Sequence, residues 1–127
     1  MDHRKMIRSP YCVDASTFQA DDSWRDRLRT SARAELGILP NQFVLLFSGK
    51  LVQRKGPDLL IDAIRGMPEH VRFKLVIVWL GDGEMRAELD ARSLDVSMRF
   101  TGFQNQHRLS RFYHASDALV LPSRSGE

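Results

Sequence analysis

The sequence predicts an α/β protein, a Rossmann-like parallel sheet with helices on both faces. Three observations carry that expectation. The apolar runs 43–48, 73–80 and 118–121 are near-continuous rather than alternating, which is how strands read when both sheet faces are buried. The segments between them repeat apolar residues at helical spacing. The first three predicted strands are closed by glycine, at Gly49, Gly81 and Gly102.

The elements follow in order. Residues 1–20 show no steady periodicity and read as a linker or lead-in segment, leaving 21–127 as one domain. A helix is expected over 22–36, capped by Asp22 or Ser23 and ended by Gly37, with Trp24, Leu28, Ala32 and Leu36 on one stripe. Arg25, Arg27, Arg29 and Arg33, interleaved with Asp21, Asp22, Asp26 and Glu35, read as its solvated face. Strand 43–48 is followed by a helix from Pro57 to Arg65, with proline in the first turn, where its missing N–H costs nothing. Strand 73–80 leads through Gly81-Asp82-Gly83 to a helix ending near Ala91, with Met85 and Leu89 inward. A short strand 97–101 and a helix over 106–114 follow, the latter burying Leu109, Phe112 and Tyr113. The last strand is Ala118 to Leu121. Right-handed crossovers and the β-α-β-α-β-α-β order predict strand order 3-2-1-4. The chain then reverses direction between the first and fourth strands, beside which ligands of open α/β sheets bind. The loops Gly49–Gly56 and Pro122–Glu127 should therefore face one crevice.

Composition narrows the function classes. The 127 residues, 43% hydrophobic and 28% charged, suit one globular domain. No apolar stretch approaches the ~20 residues that span a bilayer, and no signal-peptide core follows the N-terminus. The single cysteine, Cys12, leaves no internal disulfide and fits a reduced, cytoplasmic setting. His107 and His114 share a helix face but lack a third ligand, so the histidines read as surface residues and no metal is expected. The net charge of +3 comes mostly from arginines mixed with acids, which argues against a nucleic-acid partner.

The chemistry concentrates in Gly49-Lys50-Leu51-Val52-Gln53-Arg54-Lys55-Gly56. Glycines permit close backbone approach, a helix start favours anions, and lysines add point charge. It has neither the Gly-Lys-Ser/Thr ending of a Walker loop nor a Gly-x-Gly-x-x-Gly pattern. The spacing alone leaves two readings open: a phosphate cradle, or a solvated basic loop with glycines for turning. Gly81-Asp82-Gly83 is an ordinary turn by composition, but its place at the carboxyl edge would let a ligand approach. Thr101-Gly102-Phe103 closes the third strand similarly, and Phe103 reads as core in preference to base-stacking. Glu127 ends the chain where a helix should begin, which reads as truncation.

In this order, Gly49-Lys50-Leu51, Lys55-Gly56, Leu59-Leu60-Ile61-Asp62-Ala63, Gly81-Asp82-Gly83, Phe100-Thr101-Gly102, Tyr113-His114-Ala115-Ser116-Asp117 and Leu121-Pro122-Ser123 with Glu127 resemble the group 1 (family 4) glycosyltransferases. The resemblance covers 43–127 well and extends loosely to Pro10-Tyr11-Cys12-Val13-Asp14 and Phe18. It implies half of a GT-B architecture: a partial C-terminal domain that binds a nucleotide-diphosphate sugar, the donor of a sugar transferred with retention. Lys50, where the family usually has arginine, Lys55 and Gly49 are implied on the donor diphosphate. Gly81, Gly83, Gly102 and Phe103 are implied along the nucleotide, and Glu127 near the transferred sugar as the catalytic carboxylate. The resemblance implies no cofactor and no metal, in keeping with the absence of any Asp-x-Asp pair. It also implies a missing N-terminal acceptor-binding domain, so the chain alone should be inactive, and polysaccharide biosynthesis is the expected setting. The complete protein is expected in the cytoplasm, with peripheral membrane association a family trait that this mixed basic surface does not itself signal. Exposed crevice surface is expected to favour a homodimer. The alternatives are a non-catalytic nucleotide-binding or assembly fragment, or another GT-B protein such as a phosphorylase or nucleotide-sugar epimerase.

Overall fold

The computed structural model describes residues 21–92 and 96–124. The lead-in segment 1–20 and Glu127 lie outside the described residues. The elements are α1 (Asp22–Leu36), β1 (Phe43–Ser48), α2 (Pro57–Arg65), α3 (Glu69–Arg72), β2 (Leu75–Leu80), α4 (Arg86–Ala91), β3 (Ser97–Gly102), α5 (Gln106–Ala115) and β4 (Ala118–Leu119). A single 3₁₀ turn, Gln53–Lys55, precedes α2.

The four strands form one parallel sheet in the order β3-β2-β1-β4. The expected 3-2-1-4 order is thus observed. The β1–β2 register runs from Phe43 opposite Leu75 to Ser48 opposite Leu80, so both strands end at the same level. Alternate side chains supply two cores. Leu45, Phe47, Ile77 and Trp79 pack with Leu60, Ile61 and Ile64 of α2 and Leu89 of α4. Val44, Leu46, Val76, Val78 and Leu80 pack with Ile38 and with Phe112 of α5. Burial on both faces is the physical reason these strands lack alternation. Trp79 centres the first core, its ring 5.3 Å from that of Phe47 and 6.0 Å from that of Phe100. No helix among the described residues is long and apolar enough to cross a membrane.

Several expectations are corrected. The cap of α1 is Asp21, whose Oδ1 accepts from the Trp24 amide at 2.7 Å, not Asp22 or Ser23. Trp24 is half exposed, not part of the inward stripe. Helix α5 runs alongside α1 and ends at Ala115, opposite Arg29, so the first turn of α1 extends past its packing partner. The arginine stripe is not uniformly solvated: Arg33 is buried and Arg29 is half-buried, both turned onto the α5–β4 junction. Strand β2 starts at Leu75 because Phe73 and Lys74 complete the turn of α3, donating to the Glu69 and Val71 carbonyls. That short helix, entered from Pro68, was not anticipated. Strand β4 is shorter than 118–121, although the Val120 amide still reaches the Leu46 carbonyl at 2.9 Å.

A four-membered polar latch closes the end of the sheet where the strands begin. Asp117, at the α5–β4 junction, accepts from Arg29 at 2.6 Å, Arg33 at 2.8 Å and the Val44 amide at 2.8 Å. Arg33 also donates to the Ala115 and Gln42 carbonyls at 2.9 and 3.0 Å. Burial alone would raise the Asp117 carboxyl. The Val44 amide and the two guanidiniums outweigh it and hold the carboxyl below its ordinary value.

Candidate functional site

The site forms where β1, β2 and β3 release the chain. Their closing glycines converge: the Gly49 amide donates to the Leu80 carbonyl at 2.9 Å, and the Gly81 amide to the Gly102 carbonyl at 3.0 Å. The following loops are sewn together by the Leu51 amide on the Asp82 carbonyl and the Met85 amide on the Leu51 carbonyl, both at 2.9 Å. This close approach explains why glycine stands at 81 and 83. A Cβ at Gly81 would lie 2.0 Å from the Gly49 oxygen, and one at Gly83 would lie 2.5 Å from the Leu51 oxygen. The space a side chain would take is filled by neighbouring backbone, not left open for a ligand.

The basic loop spends many of its amides internally. Those of Lys55, Gly56 and Leu59 donate to the Val52, Gln53 and Gly56 carbonyls at 3.0 Å, and those of Gly49 and Leu51 are bonded to the β2 exit. Pro57 has no N–H, and the Asp58 amide meets its own carboxylate. The start of α2 is therefore closed to an anion, and side-chain charge is what the loop offers. Lys50 is exposed and Lys55 is half-buried.

A cavity of about 240 Å³ opens between these strand ends and the start of α5. It brings together four of the sequence-assigned residues, Gly49, Lys50, Gly81 and Phe103, with Ser48, Leu80, Gln104 and Leu109 completing its wall. Lys55, Gly83 and Gly102 do not line it. Phe103 is not core: it is 71% exposed at the cavity rim, because β3 ends at Gly102 and the chain turns outward before α5. A second cavity, about 410 Å³, lies between α2 and α4 and is lined by Gln53, Asp58, Glu84, Met85 and Glu88. Its three carboxylates make it unsuited to a diphosphate.

The exit of β4 meets the basic loop, as the strand order requires. Gly56 has φ +71°, and a Cβ there would fall 2.1 Å from the Pro122 oxygen. Arg124 forks onto Asp58 in the first turn of α2, Nη1 to Oδ1 at 2.9 Å and Nη2 to Oδ2 at 2.6 Å. That hydrogen-bonded fork outweighs burial and holds the Asp58 carboxyl below its ordinary value. Neither residue was singled out from sequence. An arginine beside a turn and an aspartate in a helix's first turn are commonplace separately, and they lie 66 positions apart.

The family model for glycosyl transferases group 1 matches residues 29–127. The chain belongs to the group 1 glycosyl transferases. A D-inositol 3-phosphate glycosyltransferase of Xylanimonas cellulosilytica is 31% identical over 122 residues, 91% of this chain and 29% of that protein. The Anabaena protein HepE, solved in complex with UDP-glucose, superposes with a TM-score of 0.66 at 25% identity, over 87% of this chain and 30% of that one. The C-terminal domain of a group 1 family protein from Francisella tularensis shares the fold, with a TM-score of 0.61 at 20% identity over 88% of this chain and 59% of that domain. The chain spans under a third of the length of the curated relatives it matches. As a group 1 glycosyltransferase chain, it has the Rossmann-like sheet and the ordered glycine and lysine loops where its sequence placed them.

Proposed function

We propose that this chain is the donor-binding part of a retaining glycosyltransferase that takes its sugar from a nucleotide diphosphate. The carrying observation is the cavity at the carboxyl ends of β1, β2 and β3, which gathers Gly49, Lys50, Gly81 and Phe103. The UDP-glucose bound by a relative of the same fold supports a uridine diphosphate sugar as the donor. Phe103 offers an exposed ring for a base to stack on, with Gly81 lining the same cavity, and Gly83 and Gly102 are assigned to the nucleotide through the family pattern. Lys50 and Lys55 flank the diphosphate.

The chemistry follows from charge. Breaking the sugar–phosphate bond leaves negative charge on the departing diphosphate, and the ammonium groups of Lys50 and Lys55 stabilise it as it develops. Because the start of α2 is closed by Asp58, that stabilisation falls to the lysines and not to a helix terminus. Glu127 is assigned to the transferred sugar through the family pattern. No metal enters the proposal. An acceptor-binding domain completes the cleft in the whole protein, and the chain alone binds donor without turning it over.

Titrating UDP, GDP and ADP into the chain while following amide resonances tests the reading. UDP is expected to perturb Gly49–Gly56 and Phe103. Each of Lys50→Ala and Lys55→Ala should weaken binding at least tenfold or so, the cost of a lost charged hydrogen bond. Lys50→Arg should tighten it, since a planar fork can meet two phosphate oxygens. If no nucleotide moves Gly49–Gly56 at millimolar concentration, the site is not a donor site.

A binding or assembly module without catalysis is the second reading, favoured by the apolar side chains exposed beside the β4 edge of the sheet. Among the described residues β4 pairs only with β1, and Leu119 and Leu121 beside that edge are about half exposed. A homodimer through this surface is proposed for the isolated chain. Sedimentation should show dimers at high concentration, and a clean monomer there would refute it.

A further inference from the structure

The polar latch where the strands begin carries a charge imbalance. Two guanidiniums, those of Arg29 and Arg33, meet one carboxylate, that of Asp117. The carboxyl is held below its ordinary value, so it is ionised at neutral pH and the cluster keeps one net positive charge. Arg33, its side chain 6% exposed, spreads its donors over Asp117 and the Ala115 and Gln42 carbonyls. Arg29 is different. Its Nη1 serves the His114 and Ser116 carbonyls and its Nη2 serves Asp117, while among the described residues its Nε–H meets no acceptor. Beside these two arginines lies a cavity of about 320 Å³, between α1 and the turn into β1. Arg29, Thr30, Arg33 and Ala34 of α1 line it together with Ile38 and Pro40 of the turn. Its wall is mostly apolar and includes no acid. Small-molecule sites begin at about this size, and they too set a few polar groups in an apolar wall.

We propose that this cavity binds a small monocarboxylic acid with an apolar body, its carboxylate on Arg29 and its body against Ala34, Ile38 and Pro40. Charge sets the head group. A monoanion brings the latch to neutrality, a neutral ligand leaves the imbalance, and a dianion such as a phosphate monoester overshoots it beside Asp117. The apolar wall sets the rest. Each methylene it takes from water is worth about fourfold in affinity, so acetate is too short to use the site. The site is separate from the donor cavity. That cavity opens where the strands end, this one at the turn that leads into β1, and they share no lining residue. The proposal therefore stands whether or not the donor-site reading does. Its structural consequence is local. A carboxylate on Arg29 ties α1 more firmly over the α5–β4 junction, where Arg29 already holds His114, Ser116 and Asp117.

The test uses the 127-residue chain and sodium hexanoate, with 1-hexanol and acetate as comparisons. Hexanoate should shift the amides of Thr30, Ala34 and Ile38 along a saturating curve and raise Tm. Hexanol keeps the body and loses the charge, so it should bind about tenfold more weakly. Acetate keeps only the charge and should not saturate over the same concentrations. Arg29→Gln should weaken hexanoate about tenfold and leave hexanol unchanged. Ala34→Leu, which enlarges the cavity wall and leaves the latch intact, should weaken hexanoate and hexanol alike. Equal affinity for hexanoate and hexanol in the unsubstituted chain overturns the proposal, and that comparison needs no variant to fold. So does a missing response at Ala34 and Ile38, or hexanoate binding that Ala34→Leu leaves unchanged. A hexanoate response that UDP abolishes would put the acid in the donor cavity and overturn it as well.

Discussion

Asp117→Ala is expected to destabilise the chain by about 3 kcal/mol, the range for breaking a buried ion pair from one side. The side chain of Arg33 is only 6% exposed, and its charge would stay buried after the carboxylate is gone. Its remaining bonds to the Ala115 and Gln42 carbonyls soften the loss but carry no countercharge. The Val44 amide would lose its side-chain acceptor as well. For a chain of this size the cost corresponds to a fall in Tm of roughly 10 °C. Arg29→Ala should cost under about 1 kcal/mol, because that partner is 36% exposed and water can replace it. Thermal unfolding of the two variants checks the order; equal losses would mean that the latch is a surface pair. The latch also has a pH signature. The folded-state pKa of Asp117 lies below its unfolded value, so the unfolded chain binds the proton more readily. Its contribution is complete above the ordinary carboxylate range and is lost as pH falls below about 4, through the folded value. Asp117→Asn should flatten that part of the stability profile, while the depressed Asp58 carboxyl leaves a smaller slope in the same window.

The latch shows where the sequence was legible and where it was not. Burial on both faces wrote β1 and β2 as unbroken apolar runs, and the crossover rule then left one strand order to expect. Gly49, Gly81 and Gly102 likewise marked the strand ends, because backbones that touch admit no side chain and leave a visible residue type. Long-range polar pairs leave no such mark. Arg33 looked like one more solvated arginine because its partner, Asp117, stands 84 residues away. Arg124 and Asp58 were hidden for the same reason. Phe103 was misread because an aromatic after a strand is usually inward, whereas the turn at Gly102 sends this one to the rim. The spacing of the basic loop left a phosphate cradle and a solvated turn equally open, because sequence does not show that the amides of Gly49 and Leu51 are bonded to the β2 exit and those of Lys55, Gly56 and Leu59 within the loop.

Gly81→Ala is expected to have the largest effect at the site itself. Two penalties coincide there. The residue has φ +138°, a region that side chains rarely adopt and that costs about 1–3 kcal/mol. Its Cβ would also stand 2.0 Å from the Gly49 oxygen and 2.9 Å from the Gly49 carbonyl carbon. Backbone, unlike a flexible side chain, cannot swing aside, so the β1 exit must move or the β2 exit must peel away. Moving it breaks the Gly49–Leu80 and Gly81–Gly102 hydrogen bonds that hold three strand ends together. A total near 3 kcal/mol or more is the expected loss in urea unfolding. Gly102→Ala supplies the comparison. It has φ +69° but open space around the new Cβ, so it should cost only about 1 kcal/mol. If Gly81→Ala costs no more than Gly102→Ala, the exits of β1 and β2 are not packed as tightly as their backbone contacts indicate. The same substitution links the fold to the proposed activity. Lys50 follows Gly49 directly, so a displaced β1 exit carries the lysine away from the cavity it lines with Gly81 and Phe103. Gly81→Ala should therefore weaken UDP binding even at temperatures where the chain remains folded, whereas Gly102→Ala, which leaves Gly49 in place, should weaken it less.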